Sequence, residues 1–190
     1  PPPFVPIVVR MVEPSAWRPG LRIRAIKAAR LIAVCRIEKK LIDRLYLDSA
    51  GWAGIRQRGD NLQQVLKESI TRLKESNKQV HIMDVAAGPG RYVLNVLETL
   101  NDDSLSAVCR DRDEAGLAEG RELALSKGLD QVVTYLSGDA FDPESIKDTP
   151  QQPQIIVVSG LYELFSDNKM ILQSLQGIYD RLPEDGILIY

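Results

Sequence analysis

Three acidic residues, each at or near the end of a short apolar run, are the places where this sequence could do chemistry. The first, Asp84, lies in His81-Ile82-Met83-Asp84-Val85-Ala86-Ala87-Gly88-Pro89-Gly90-Arg91, a run that ends in small residues and then enters a helical pattern. Side chains wider than a methyl would hold a ligand off the backbone at Ala86, Ala87, Gly88 and Gly90, and free amides at the following helix start can receive a carboxylate. The second, Asp111, closes a run that begins at Leu105. Two adjacent hydroxyls, as on a ribose, can both donate to one carboxylate in that position. The third stands in Ser137-Gly138-Asp139-Ala140-Phe141. Its carboxylate can accept a hydrogen bond from an exocyclic amine, while Phe141 offers an apolar face to a purine. Plainer readings stand beside these: a tight turn of any doubly wound domain, an exposed loop carboxylate, and a turn with Phe141 in the core. Asp113 reads more simply as the cap of the next helix. Three acids at the ends of three successive runs are nevertheless hard to explain as three accidents.

The elements that must position these residues follow from periodicity. Strands are expected over 80–85, 105–110, 132–136, 155–159 and 186–190, with helices after the glycine turn, over 114–126 and over 169–182. Strands alternating with helices argue for an α/β fold with a doubly wound, mostly parallel sheet. Residues 1–20 read as an extended lead-in in which Phe4–Arg10 could form a short edge strand. Residues 21–78 read as a helical segment: an amphipathic basic helix from Leu21 to Leu47, a glycine loop from Asp48 to Gly59, and a second helix capped by Asp60 or Asn61. The core then occupies residues 79–190. His81 lies at the opposite end of the sheet from the acids and reads as structural.

Composition narrows the classes. Twenty-four basic against 26 acidic residues leave a formal charge of −2, so no global field recruits nucleic acid or an acidic membrane. Cys35 and Cys109 are far apart, and with one histidine a metal site is not expected. No long uncharged apolar run suggests a membrane span, and a cytoplasmic setting fits the unpaired cysteines.

DVAAGPGRY resembles motif I of class I S-adenosylmethionine-dependent methyltransferases, with Ala86 where many members have the first glycine. CRDRD, SGDAF, IIVVSGLYELF and LPEDGILIY resemble the later motifs in the right order, so the resemblance covers roughly 80–190. It implies a Rossmann-like fold with S-adenosylmethionine as cofactor. Ala86, Gly88 and Gly90 would approach its methionine part. Asp84 would organise that loop or reach the cofactor's amino group, Asp111 would hold the ribose, and Asp139 the adenine amine, with Ala140 and Phe141 against the ring. Ser159 and the residues after it would face the transferable methyl, where Glu163 is the candidate base and Tyr162 the positioning group. Tyr162 packed inside and Glu163 capping the next helix is the competing reading there. Arg56, Arg58 and Arg91 could hold a carboxylate or lie on the surface.

The combination GIRQRG, AAGPGRYV and VSGLYELF is similar to a bacterial methyltransferase group whose members are often joined to an α/β-hydrolase-like domain. Gln154 stands where many relatives carry an acid, a departure expected to matter little. The resemblance implies a small-molecule or lipid-like acceptor. It also implies a sheet truncated after the fifth strand, leaving Ile187–Ile189 as an open apolar edge. Downstream residues, a second copy or a fused domain would cover it, or, as the weakest choice, Phe4–Arg10. Two other functions fit parts of the pattern: a cofactor-binding scaffold without catalysis, and an NAD-dependent oxidoreductase. Against the latter, Val93 fills the third glycine position of the dinucleotide fingerprint.

Overall fold

In the computed structural model, residues 7–9, 50–76 and 79–190 are described. The chain divides into two compact units, Pro1–Met11 with Leu62–Tyr190, and Val12–Asn61. The expected helix over 21–47 lies outside the described residues. The elements are β1 (Ile7–Val9), α1 (Ala50–Lys74), β2 (Val80–Val85), α2 (Arg91–Leu100), β3 (Leu105–Asp111), α3 (Glu114–Ser126), β4 (Val133–Ser137), α4 (Pro143–Lys147), β5 (Ile155–Val157), a 3-10 turn (Tyr162–Leu164), α5 (Asn168–Arg181) and β6 (Ile187–Ile189).

The strands form one sheet in the order β1-β6-β5-β2-β3-β4, and every pairing is parallel. This is the Rossmann-like α/β fold anticipated from the alternation, with all five expected strands in place. A sixth accompanies them. Ile7, Val8 and Val9 pair with Ile187, Leu188 and Ile189, so the edge expected to lie open is covered by the candidate ranked weakest.

One expectation fails outright. The stretch from Ala50 to Gly59 is not a loop but the first part of α1, a helix of 25 residues. Asp60 and Asn61 are therefore interior, exposed positions rather than caps, and Gln57 Nε2 donates to Asn61 Oδ1 at 2.9 Å. Glycine costs a helix only about 1 kcal/mol relative to alanine. Leu62, Leu66, Ile70 and Leu73 recur on one face and are buried, and such packing outweighs propensity.

Side chains alternate across the strands and fill both faces of the sheet. Val80 and Ile82 of β2 join Leu105, Ala107 and Cys109 of β3, and the buried leucines of α1, in one apolar layer. Met83 and Val85 join Ile156, Leu188, Ile146 and Ile178 in the other. At the start of the sheet Gln154 does more than expected. Its side-chain oxygen accepts from the His81 N–H at 2.7 Å, as a carboxylate oxygen would. His81 itself is tied to Ser106 Oγ through Nδ1 at 2.5 Å, in the structural role anticipated.

The turn between β2 and α2 takes three left-handed steps, at Ala86 (φ 59°), Gly88 (φ 52°) and Gly90 (φ 67°). The two glycines differ in what surrounds them. A Cβ added to Gly88 would meet nothing within 4 Å, whereas one on Gly90 would sit 2.7 Å from Cys109 Sγ. Gly90→Ala should therefore combine left-handed strain with overpacking and cost roughly 2–4 kcal/mol. Gly88→Ala should cost only the strain, about 1–2 kcal/mol. Ala86→Gly should relieve strain and leave stability equal or up to about 1 kcal/mol higher. Urea unfolding of the three variants checks the ranking, and a Gly90→Ala variant as stable as Gly88→Ala would contradict the packing account.

Candidate functional site

The carboxyl ends of the strands enclose a cavity of about 230 Å³, the place where open α/β sheets bind ligands. Its lining includes Ala86 after β2, Asp111 at the end of β3, Asp139, Ala140 and Phe141 after β4, and Ser159 after β5. Six residues singled out in the sequence are thus brought to one hollow from four separate strands. Arg112, Gly138, Gly160, Leu161 and Leu164 complete the wall.

Backbone hydrogen bonds fix the two acids of the wall. Asp111 accepts from the Gly88 N–H through Oδ2 (2.8 Å) and from the Asp113 N–H through Oδ1 (2.9 Å). Ala87 N–H donates to the Arg110 carbonyl at 3.0 Å, so the glycine turn is strapped to the end of β3 at two successive residues. Gly138 N–H donates to the Asp111 carbonyl at 3.0 Å, which joins the third acidic segment to the second. Asp139 accepts the Phe141 N–H through Oδ1 at 2.9 Å and donates its own N–H to Ser145 Oγ at 3.0 Å. Phe141 meets Phe165 edge to face with ring centroids 4.7 Å apart.

Asp113, Asp142 and Asp167 cap α3, α4 and α5 with their side chains, as the sequence suggested for Asp113. Helix α2 is different: Gly90 occupies its N-cap and supplies no side-chain acceptor. The first amides of α2 therefore depend on another acceptor.

The remaining sequence candidates lie outside the wall. Asp84 is 3% exposed, on the face shared by Cys109 and Val157, its partners in register. Gly88 is held by Asp111 and Gly90 packs on Cys109. Tyr162 is half-buried with its hydroxyl 2.8 Å from Ser174 Oγ, and burial pushes that phenol above its ordinary pKa. Glu163 is exposed on the 3-10 turn, and the cap of the next helix is Asp167. Arg91 is paired with Glu119, and Arg56 and Arg58 lie on α1. Among the described residues no group of three or more potential ligands could hold a metal ion, and no helix is long and apolar enough to cross a membrane.

Sequence reasoning missed Arg110, Ser145 and the glycines of α3. Arg110 is 5% exposed and bonds to Ser145 through both Nη atoms, at 3.0 Å for Nη2 to Oγ. Its signal was there: a charge inside the strand Leu105–Asp111. A Cβ on Gly120 would lie 2.7 Å from Tyr135 Cζ, and one on Gly116 3.4 Å from Gly88 Cα. Spaced four apart, these two glycines mark the helix stripe that lies under the turn.

Burial, and secondarily the charge of Asp111, push the Asp84 carboxyl from 3.8 up to about 7. The folded state thus keeps a proton that the unfolded chain releases near pH 4. Stability should fall as pH rises from about 4 to 7, with the full penalty present above 7. Asp84→Asn should abolish that slope, gaining up to roughly 4 kcal/mol at pH 8 and little at pH 4. Thermal melts of both proteins across this range are the check; parallel pH profiles would mean that Asp84 stays ionised in the fold.

Comparison with known proteins bears on the family and the fold. The profile of a family described as "Putative methyltransferase" matches residues 16–190. The uncharacterized protein YnbC of Escherichia coli (strain K12) is 40% identical over 152 residues, which are 80% of this chain and 26% of YnbC. The chain therefore spans about a quarter of that relative. Among solved structures, TrmN from Thermus thermophilus superposes with a TM-score of 0.51 at 27% identity, over 66% of this chain and 37% of that one. A Bordetella parapertussis protein described as a "possible exported protein" gives 0.63 at 18% identity, over 77% and 46%. An S-adenosylmethionine-dependent methyltransferase from Geobacter sulfurreducens, solved with S-adenosyl-L-homocysteine, gives 0.50 at 14% identity, over 67% and 46%. These likenesses establish the fold, and the profile, which runs over nearly the whole chain, establishes the kinship: this chain belongs to that methyltransferase family.

Proposed function

We propose that the cavity holds the adenosyl part of S-adenosylmethionine and that the chain transfers its methyl group to a small-molecule or lipid-like acceptor. The observation that carries this reading is the convergence of Asp111 and Asp139, from successive strands, on one hollow beside the glycine turn. At about 230 Å³ the hollow is smaller than the roughly 300–1,000 Å³ of sites that enclose a whole drug-sized ligand. It suits the nucleoside end of the cofactor, with the amino-acid end lying along the turn. The residues fit the group in three ways. Gly88 leaves space that a side chain would fill, α2 begins with amides that no side chain caps, and Asp84 is a buried carboxyl that a neighbouring ammonium would ionise. The Geobacter sulfurreducens neighbour, bound to S-adenosyl-L-homocysteine, supports the same use of the fold.

When bound, the cofactor supplies a methyl group on a sulfonium already primed to leave. The protein's work is alignment. Asp111 accepts from the ribose hydroxyls with the lone pairs its backbone bonds leave over, Asp139 accepts from the adenine amine, and Ala140 and Phe141 pack on the ring. Gly88 leaves room for the carboxylate, and the uncapped amides at the start of α2 receive it. Ser159 and Gly160 border the side where an acceptor enters, Glu163 takes a proton from it and Tyr162 orients it. Leu161 and Leu164 give that side an apolar rim, and Leu164 is 75% exposed.

A second reading, a cofactor-binding module without transfer, is favoured by one observation: neither Tyr162 nor Glu163 lines the cavity. A fused hydrolase-like domain or a second copy of the chain as partner, and a cytoplasmic setting, complete the proposal. The quarter of YnbC that this chain spans leaves ample length for another domain in such a relative.

Titration with S-adenosylhomocysteine tests the binding. Asp111→Ala should weaken it about ten- to a hundredfold. Asp111→Asn should come close to that loss, because both carboxylate oxygens accept backbone N–H groups and an amide must turn its NH2 toward one of them. Glu163→Gln should bind normally yet transfer labelled methyl to a hydroxyl or amine acceptor about a hundredfold more slowly. Unchanged affinity in Asp111→Ala would remove the ribose assignment. Normal turnover in Glu163→Gln would remove the base, and binding with no transfer to any acceptor class would favour the scaffold.

A further inference from the structure

Among the described residues Arg110 is the one buried cation beside the cavity, and nothing in the proposed chemistry uses it. It sits at the end of β3 between Val85 and Leu136 in the ladder, on the face opposite Cys109 and next to the apolar layer of Met83, Val85 and Ile146. A guanidinium taken out of water is costly unless it is paired and fully bonded. No carboxylate lies within ion-pair distance of Arg110 among the described residues, and its buried Nε has no partner. Asp148 and Asp142 act on it only through their fields. An aliphatic residue would serve this layer better, so the charge answers to something other than stability.

Its contacts all lead to one place. Nη1 donates to the Ser145 carbonyl and Nη2 to Ser145 Oγ, the atom that also accepts the Asp139 N–H. Gly138 lies close against the guanidinium, and an added Cβ there would sit 2.8 Å from Arg110 Cζ. Arg110 thus grips the segment carrying Asp139 from below at Gly138 and from behind at Ser145. Among the described residues the Asp139 carboxylate is bonded only to the Phe141 N–H, which leaves lone pairs for a ligand.

We propose that Arg110, acting through Ser145, is a positioning residue that sets Asp139 for recognition of the adenine amine. The proposal rests on the adenosyl reading of the cavity and deepens it: the preference for a 6-aminopurine is built in the layer beneath the acid as well as in the acid itself.

The test uses S-adenosylhomocysteine and its 6-deamino analogue, in which purine replaces adenine, titrated into this chain and its Ser145→Ala, Arg110→Met and Asp139→Ala variants. The unaltered chain should bind the adenine ligand about tenfold more tightly than the purine ligand. Ser145→Ala and Arg110→Met should lose most of that preference while binding the purine ligand within about twofold of the unaltered chain. Added to Asp139→Ala, either should cost nothing further, since residues acting through one group are not additive. Equal losses for both ligands, or losses that add to that of Asp139→Ala, would overturn the proposal and leave Arg110 a purely structural residue. Ser145→Ala removes a single oxygen and keeps the test decisive should Arg110→Met fail to melt cooperatively. Failure of the unaltered chain to bind either ligand would instead overturn the cavity reading, and this inference with it.

Discussion

The hydrogen bond from the Gly88 N–H to Asp111 is the constraint on which the rest of the site depends. The chain leaving β2 for α2 in left-handed steps makes one backbone bond within the turn, from the Gly90 N–H to the Ala87 carbonyl at 2.9 Å, and leans on its neighbour for others. Asp111 and the Arg110 carbonyl take two of the turn's amides and so carry the shape of the turn on the end of the neighbouring strand. With its other oxygen Asp111 receives the Asp113 N–H, and Asp113 starts α3. One side chain therefore sets the turn, aims the loop that begins the next helix, and lines the hollow. A charge that touches this much backbone resists even an isosteric exchange.

That turn can exist only because its surroundings give way. Helix α3 approaches it through Gly116 and Gly120, and Tyr135 reaches across from β4 to donate to the Pro89 carbonyl at 3.1 Å. Cys109 fills the space beside Gly90. The same crowding shuts water away from Asp84, which is why its carboxyl holds a proton near neutrality. Tight packing on one side of the turn and open space on the other are two results of one arrangement of small residues. The open side is where a ligand belongs.

Much of this was legible in the sequence because parallel strands buried on both faces read as plain apolar runs, and an acid at the end of such a run is conspicuous. Asp111, Asp139 and Phe141 were found that way. What escaped notice depends on partners distant in sequence. The glycines before Asp60 read locally as a loop, and only the burial of Leu62, Leu66, Ile70 and Leu73 makes α1 continuous through them. Arg110 was passed over because its partner, Ser145, lies on another element. The region after β5 was legible in part: Ser159 lines the hollow, whereas Tyr162 and Glu163 do not, because a 3-10 turn advances the chain differently from the strand and helix periods used to read it.

The edge strand carries a consequence for how the protein comes into being. Ile7 through Val9 leave the ribosome before the other described strands of the sheet, and the strand they pair with, Ile187–Ile189, is made after all of them. At about 5–20 residues per second this leaves them waiting for roughly ten to forty seconds. During that interval a short β-branched segment has no edge of its own to join, and the growing sheet presents β5 in place of β6. Completion of the sheet is thereby deferred until β6 has been made and enters between its two neighbours, so that the earliest of these six strands becomes the last one placed.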